Sequence, residues 1–341
     1  GVWGYSLITY GLIISVYYFL FSTKKGLFFL FPFVFIIFVL PNILKVNENI
    51  VDVLNVRIVQ PNIKQEDKWD ERKLKKNLEK LSKIITLNDY KNFDLIVLPE
   101  TALNLNVNNL NLEQYLENFD LESIKNFIVG TIRVEGEKKN IKIFNSMYLI
   151  KSDNKKPIYH DKLKLVPFGE FIPFKDTLGL NKLSDGAVDF SKGKKVKSLN
   201  INKKINFLPL ICYEVIFPKL SSNIKGSYNL LINITNDAWY KKSSGPYQHF
   251  SLSKIRAVME GLTLIRVANT GISGIIGPKG TTLIKLGLQK DGTIDYKLDI
   301  KEVKTIYGRH GESLFYLIML TLLCHICISF FYGKSNKDKY L

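Results

Sequence analysis

Leu210-Ile211-Cys212-Tyr213-Glu214-Val215 closes an apolar run that starts at Ile205 and ends on a thiol, with a carboxylate two residues further on. Ile205 to Ile211, apolar apart from Asn206, has the length and character of a buried strand. Two other stretches have the same form. Asp94-Leu95-Ile96-Val97-Leu98 runs into Pro99-Glu100-Thr101, and Leu230-Leu231-Ile232-Asn233-Ile234 runs into Thr235-Asn236-Asp237. Chemically capable residues thus follow three apolar strands. In α/β folds, sites assemble at the C-terminal ends of strands.

The neighbouring sequence alternates strand and helix. Val53-Leu54-Asn55-Val56-Arg57-Ile58-Val59 reads as a strand closed by the turn Gln60-Pro61-Asn62. Asp70 is placed to cap a helix in which Leu74, Leu78, Leu81 and Ile85 share one face and lysines take the other. Phe127 to Thr131 and Ser146 to Ile150 read as strands, and Gln248 to Gly261 as a helix. Leu264 to Ala268 and Gly274 to Ile276 read as strands before the turn Pro278-Lys279-Gly280. With no internal repeat and no low-complexity linker, the expected class is α/β.

Cys212 is the only cysteine outside the apolar ends of the chain, since Cys324 and Cys327 lie in the C-terminal apolar run. A lone thiol makes neither a disulfide within its own domain nor a zinc site by itself. It is either inert, packing as a small hydrophobe, or a nucleophile. A thiol of ordinary pKa, about 8.5, is mostly protonated at neutral pH and needs a base or a cation beside it. His160, His249 and His310 follow no apolar strand; His249 reads as a structural hydrogen bonder rather than a base. Glu100, Glu214 and a lysine of Lys162-Leu163-Lys164 are better placed. Glu100 could equally cap a helix, Glu214 could form a structural ion pair, and Trp69 and Trp239 could be packing residues. Gly271 to Gly274 and Arg309-His310-Gly311 read as backbone turns.

The formal net charge is +17, yet only six of the 48 basic residues are arginine. Nucleic-acid readers depend on arginine's bidentate geometry, and the lysines here are scattered, so nucleic-acid binding is not expected. Apolar residues are unevenly distributed. Residues 6–22 and 26–44 carry no charge, and the run from Leu314 to Tyr332 contains one histidine and no full charge. Each is long enough to cross a bilayer as a helix. Lys24 and Lys25 between the first two runs, and Lys334, Lys337 and Lys339 after the third, mark cytoplasmic sides by the positive-inside rule. The expected organisation is two transmembrane helices within 1–46, an extracytoplasmic catalytic domain over 47–312, and a transmembrane helix with a cytoplasmic tail over 313–341. The start at Gly1, just before an apolar run, suggests upstream sequence.

The segments around Glu100, Lys162 and Cys212 resemble the Glu-Lys-Cys triad of the nitrilase, or carbon–nitrogen hydrolase, superfamily. Val166-Pro167-Phe168-Gly169-Glu170-Phe171, Ile211-Cys212-Tyr213-Glu214, Asn236-Asp237-Ala238-Trp239 and Gly245-Pro246-Tyr247-Gln248-His249-Phe250 are similar to segments of its membrane branch, the apolipoprotein N-acyltransferases. The resemblance covers residues from about 51 to 312 and the flanking apolar runs. It implies an αββα sandwich flanked by transmembrane helices. Cys212 would be the nucleophile, Glu100 the general base and acid, and Lys162, with the N–H of Tyr213, the oxyanion holder. The spacing of eight residues to Glu170, which would position the triad, selects Lys162 over Lys164. Trp69, Tyr213, Glu214 and Trp239 would lie near the active site, Trp239 in a mobile lid. Members of that branch carry more transmembrane helices than this chain does.

The resemblance further implies acyl transfer from a phospholipid, phosphatidylethanolamine in the first place, to the amine of a diacylglyceryl apolipoprotein, by a monomer of the bacterial inner membrane. Two other readings remain: a membrane-tethered amidase or nitrilase using the same triad on a small substrate, and a non-catalytic lipid-binding scaffold. No metal-ligand cluster or Gly-rich phosphate loop occurs, so no cofactor is expected.

Overall fold

Alternation along β1 (Asn49–Gln60) sends Leu54, Val56 and Ile58 into one apolar cluster and Val59 into another. The computed structural model describes residues 1–21, 31–39, 47–103, 123–136, 140–173, 189–224 and 226–337. Two units emerge, one of Glu48–Val303 and one of Gly1–Asn47 with Lys304–Leu341.

Within Glu48–Val303 the strands form two six-stranded sheets among the described residues. The first contains β1, β2 (Leu95–Val97), β3 (Asn126–Glu135), β4 (Lys142–Lys151) and β5 (Asn154–Asp161) in that spatial order. β12 (Gly292–Glu302) lies on the far side of β1. The second runs β6 (Leu199–Asn200), β7 (Asn206–Ile211), β8 (Leu230–Thr235), β9 (Thr263–Ala268), β10 (Ser273–Ile276), β11 (Thr282–Leu286). The centres, β1–β2–β3 and β7–β8–β9, are parallel, and antiparallel strands flank them.

The sheets pack face to face. Leu54, Val56, Ile58, Leu95, Val97, Ile128 and Met147 meet Phe207, Ile211, Ile232, Ile234, Ile265 and Val267 in one core. The outer faces are covered by helices. On the first, helix α3 (Glu71–Ile85) lays Leu74, Leu78, Leu81 and Ile85 against Ile96, Leu98, Phe127 and Val129. On the second, α4 (Gly245–Glu260) sets Phe250 and Ala257 against Leu208, Leu210, Leu231 and Leu264. The result is the expected αββα sandwich, with each side chain such as Leu81 contributing about 1.5–3 kcal/mol by leaving water. Asp70 caps α3 as expected, accepting from the N–H of Arg72.

Sequence reading missed β5, β6, β11 and β12. Pro157 in β5 argues against a central strand, but β5 is the edge of its sheet, where a missing N–H is tolerated. In β12 the alternation of Ile294, Leu298 and Ile300 with exposed charged residues marks a strand with one wet face.

The other unit holds α1 (Val2–Phe21), a π-helical turn at Phe35–Val39, α5 (Ile306–His310) and α6 (Ser313–Lys337). Among the described residues only α1 is long and apolar enough to cross a membrane. In α6, which runs Ser313–Lys337, the apolar part among the described residues is Ser313–Ser329. Of the second expected span, 26–44, only 31–39 lie among the described residues.

Candidate active site

The two strand ends that face each other across the sandwich carry Glu100 and Cys212. Glu100 follows β2 in the turn Pro99-Glu100-Thr101, where Thr101 has φ of 44°. Gly130 on β3 lets that turn approach: a Cβ there would lie 2.6 Å from the Glu100 Cα and from the Pro99 oxygen. Cys212 ends β7 with φ of 51°, a left-handed conformation rare for a side-chain-bearing residue. Such strain, held by its surroundings, concentrates at functional sites. Here Asn233 Nδ2 donates to the carbonyls of Leu210 and Cys212, at 3.1 and 3.3 Å.

Lys162 follows β5 and is 1% exposed. Its Nζ donates to Glu100 Oε1 at 3.1 Å and to Glu170 Oε1 at 2.8 Å. Asn145 Nδ2 donates to the same two oxygens at 2.7 and 3.0 Å. Glu170 Oε2 accepts the Val166 N–H at 2.8 Å, which fixes Glu170 from its own loop. Glu100 Oε2 accepts the main-chain N–H of Asn236 at 2.7 Å. The structure therefore brings Glu100, Lys162 and Glu170 together. Lys164, the rival lysine, is exposed, with its Nζ 5.5 Å from the Phe217 ring centre.

Burial pushes the Cys212 thiol up to about 12, with Glu100 adding to the rise and Lys162 opposing it. At neutral pH the thiol is therefore protonated, and any attack by it needs a group to take that proton. Burial by itself would lower the Lys162 pKa, but Glu100 and Glu170 outweigh it and hold the ammonium protonated well above the ordinary range. Lys162 is accordingly a fixed cation, suited to a developing oxyanion and not to proton transfer.

Glu214, expected beside the substrate, is 1% exposed and spends its oxygens on the main chain. It accepts the N–H groups of Leu163 (2.5 Å), Lys164 (3.2 Å) and Ile211 (2.8 Å), and its Oε2 lies 3.5 Å from His160 Nε2. The structural alternative weighed for Glu214 describes these contacts: it ties the Lys162 loop to the Cys212 turn. Burial opposes ionisation, but His160 and the Ile211 and Leu163 N–H groups prevail and hold the carboxyl below its usual range. Tyr213, next to Cys212, packs its ring edge-on to Phe217 at 4.7 Å. Trp69 and Trp239 are 37% and 48% exposed, so neither is a core packing residue.

His249 is the structural hydrogen bonder expected. Its Nδ1 lies 2.8 Å from Asp237 Oδ1, and its Nε2 3.3 Å from the Cys212 carbonyl. Burial and Arg266 lower its pKa. Arg266, fully buried, donates to Asp237 Oδ2 at 2.8 Å and to Asn233 Oδ1 at 2.5 Å.

Sequence reading missed three members of this centre. Asn145 interrupts an otherwise apolar strand and was legible as a buried polar residue. Arg266 interrupts β9 in the same way. Lys68, 6% exposed, donates from Nζ to the Glu100 carbonyl at 3.0 Å. Nothing separates it in sequence from the lysines around it.

The chain matches the family Carbon-nitrogen hydrolase over residues 55–307. It is 37% identical to an apolipoprotein N-acyltransferase of Rickettsia typhi over 81% of this chain and 56% of that protein. A second, from Rhizobium leguminosarum bv. trifolii, is 38% identical over 72% of this chain and 47% of that protein. The chain thus spans about half the length of these curated relatives. Among solved structures, Saccharomyces cerevisiae Nit3, a nitrilase-superfamily member, superposes with a TM-score of 0.53 at 20% identity, covering 73% of this chain and 90% of that one. An amidase from Nesterenkonia sp. AN1 gives 0.53 at 16% identity, covering 78% and 99%. The structural likenesses concern the fold.

Proposed function

The chain belongs to the carbon–nitrogen hydrolase family, and on that premise we propose that it is an N-acyltransferase of lipoprotein maturation. The observation that carries the reading is the buried Lys162–Glu100–Glu170 cluster facing a strained Cys212 turn, in a chain whose curated relatives bear that name. Cys212 Sγ attacks an ester carbonyl of a membrane phospholipid, phosphatidylethanolamine in the first place, as Glu100 takes the thiol proton. The tetrahedral oxyanion faces Lys162 and the N–H of Tyr213. The ester C–O bond breaks, Glu100 returns the proton to the departing lysophospholipid oxygen, and a thioester remains. The α-amine of a diacylglyceryl apolipoprotein then attacks the thioester. Glu100 removes the amine proton, the C–S bond breaks, and the thiol is restored.

Glu170 and Asn145 hold Lys162 and Glu100 in place, Glu214 holds the loops that carry Lys162 and Cys212, and exposed Trp69 and Trp239 offer apolar surface to acyl chains. Membrane anchoring through α1 and the other apolar runs supplies proximity to both lipid substrates. We place residues 47–312 on the extracytoplasmic face of the inner membrane of a monomeric protein, with further spans at 26–44 and in the C-terminal run.

Incubation with phosphatidylethanolamine vesicles followed by intact-mass measurement tests this. A fatty-acyl adduct is expected on the wild-type protein, absent in Cys212→Ser and discharged by a diacylglyceryl peptide. Hydrolysis of small amides without any adduct would establish the amidase instead. Neither adduct nor turnover would establish a scaffold.

A further inference from the structure

The buried centre around Glu100 contains an uneven set of formal charges if only the residues expected from sequence are counted. Two carboxylates, Glu100 and Glu170, share one ammonium, Lys162. The neighbouring carboxylate Asp237 has its own buried guanidinium, Arg266, at 2.8 Å and lends nothing to that balance. Unpaired charge is costly in a dry interior.

Lys68 supplies the missing cation. It closes the short helix α2 (Gln65–Lys68), which is joined to the active-centre loops by Asn236 Nδ2 donating to Gln65 Oε1 at 2.9 Å. The segment before it is held at both polar main-chain atoms of Ile63 by Asn269, at 3.0 and 2.8 Å. Lys68 reaches from that frame to the carbonyl of Glu100 at 3.0 Å. Glu100 is thereby gripped at its carbonyl by Lys68, at Cα by the close approach of Gly130, and at its two carboxylate oxygens by Lys162, Asn145 and Asn236.

We propose that Lys68 is a positioning residue of the active centre, fixing the main chain of Glu100 and adding a second buried positive charge that favours the thiolate of Cys212 as its proton passes to Glu100. Burial brings the Lys68 ammonium down to about 8, against the pull of Glu100 and Cys212, so it is a cation at neutral pH and loses its charge as pH rises through that value. In the transfer the S–H bond breaks, an O–H bond forms on Glu100, and the negative charge moves from carboxylate to sulfur. Both cations remain in reach of it.

The inference rests on reading Cys212 as the nucleophile and Glu100 as its base, but its test needs neither lipid nor acceptor. Alkylation of Cys212 by iodoacetamide is followed by peptide mass from pH 6 to 10 in the wild type, Lys68→Arg, Lys68→Gln and Lys68→Met, with thermal melting of each alongside. Lys68→Gln can keep the hydrogen bond to the Glu100 carbonyl while dropping the charge. The expected result is a roughly tenfold slower alkylation at pH 7 in the Gln and Met variants, as for a shift of about one pH unit, with the gap closing above about pH 8 as the wild-type ammonium loses its proton, and a rate near wild type at pH 7 for Lys68→Arg. Superimposable profiles in folded Gln and Met variants would overturn the proposal. So would loss of the fold in both, which would make Lys68 a structural residue. A failure of acyl transfer with these shifts present would overturn the proposed reaction and leave the role of Lys68 standing.

Discussion

The main-chain N–H of Asn236 donates to Glu100 Oε2 at 2.7 Å, joining residues 136 apart in sequence and the ends of β8 and β2 in opposite sheets. The Glu100 carboxylate is thus positioned by the face-to-face packing of the two sheets, and its remaining oxygen is engaged by Lys162 and Asn145. Perturbations of any one of these contacts should be read at Cys212.

Lys162→Met removes the fixed cation from the oxyanion position. A loss of roughly 10²–10³-fold in the single-turnover rate of Cys212 acylation is expected, by analogy with loss of one oxyanion donor. Quenched-flow sampling with intact-mass detection measures it. A rate within a factor of two of wild type would remove Lys162 from the mechanism.

Asn145→Ala deletes the amide that bridges Glu100 and Glu170. Because Asn145 is 3% exposed and its acceptors stay buried, a stability loss of roughly 1–3 kcal/mol is expected. Acylation should slow along with it, while iodoacetamide still reaches Cys212. Urea denaturation paired with the acylation assay separates the two effects, and an unchanged acylation rate would confine Asn145 to stability.

Gly130→Ala places a methyl where 2.6 Å separates it from the Glu100 Cα, and the obstacle is main chain, not a flexible tip. Overpacking of this kind costs roughly 1–3 kcal/mol. The turn bearing Glu100 must give way, so acylation should fall more steeply in Gly130→Ala than in an equally destabilising substitution of the α3 face such as Leu78→Ala. Equal losses in the two variants would show that Gly130 matters for packing alone.

Arg266→Met strands the Asp237 carboxylate and the Asn233 oxygen inside the sandwich, and a destabilisation of roughly 3–5 kcal/mol is expected. The same cluster sets an acid limb. Burial opposes ionisation of Asp237, but Arg266 and His249 hold its carboxyl below the ordinary value, so its contribution is present above about 3.9 and is lost as pH falls through the lower folded value. The His249 pKa is lowered by burial and Arg266, so as pH drops below about 6.5 the unfolded chain binds that proton first and the folded state loses ground. Urea midpoints should therefore fall from pH 7 toward pH 4. His249→Gln should flatten the upper part of that slope, and an unaltered slope would assign it to other groups.

The strand reading of the central sheets held because parallel strands buried on both faces are continuous apolar runs, and β2, β7 and β8 each present one. Antiparallel flanking strands were harder. β12 has one wet face and pairs with β1, remote in sequence, while β5 carries a proline and is held as a strand by its hairpin partner β4. Within the site, Cys212, Glu100, Lys162 and Glu170 were legible because each follows a strand or sits in a motif. Asn145 and Arg266 left a fainter mark, a polar residue inside an apolar strand.

Hydrophobic period and residue type along the chain determined the α/β class, the lone thiol and its candidate partners, because those depend only on neighbours a few residues apart. The tertiary structure decided which lysine meets the Glu100 carboxylate, turned Glu214 into a strut between loops, and drew Lys68 from a run of otherwise similar lysines to the Glu100 carbonyl. Those choices depend on burial and on contacts across the two sheets. A buried charge is stable only where opposite charges and donors converge on it, and only the packed fold creates that convergence.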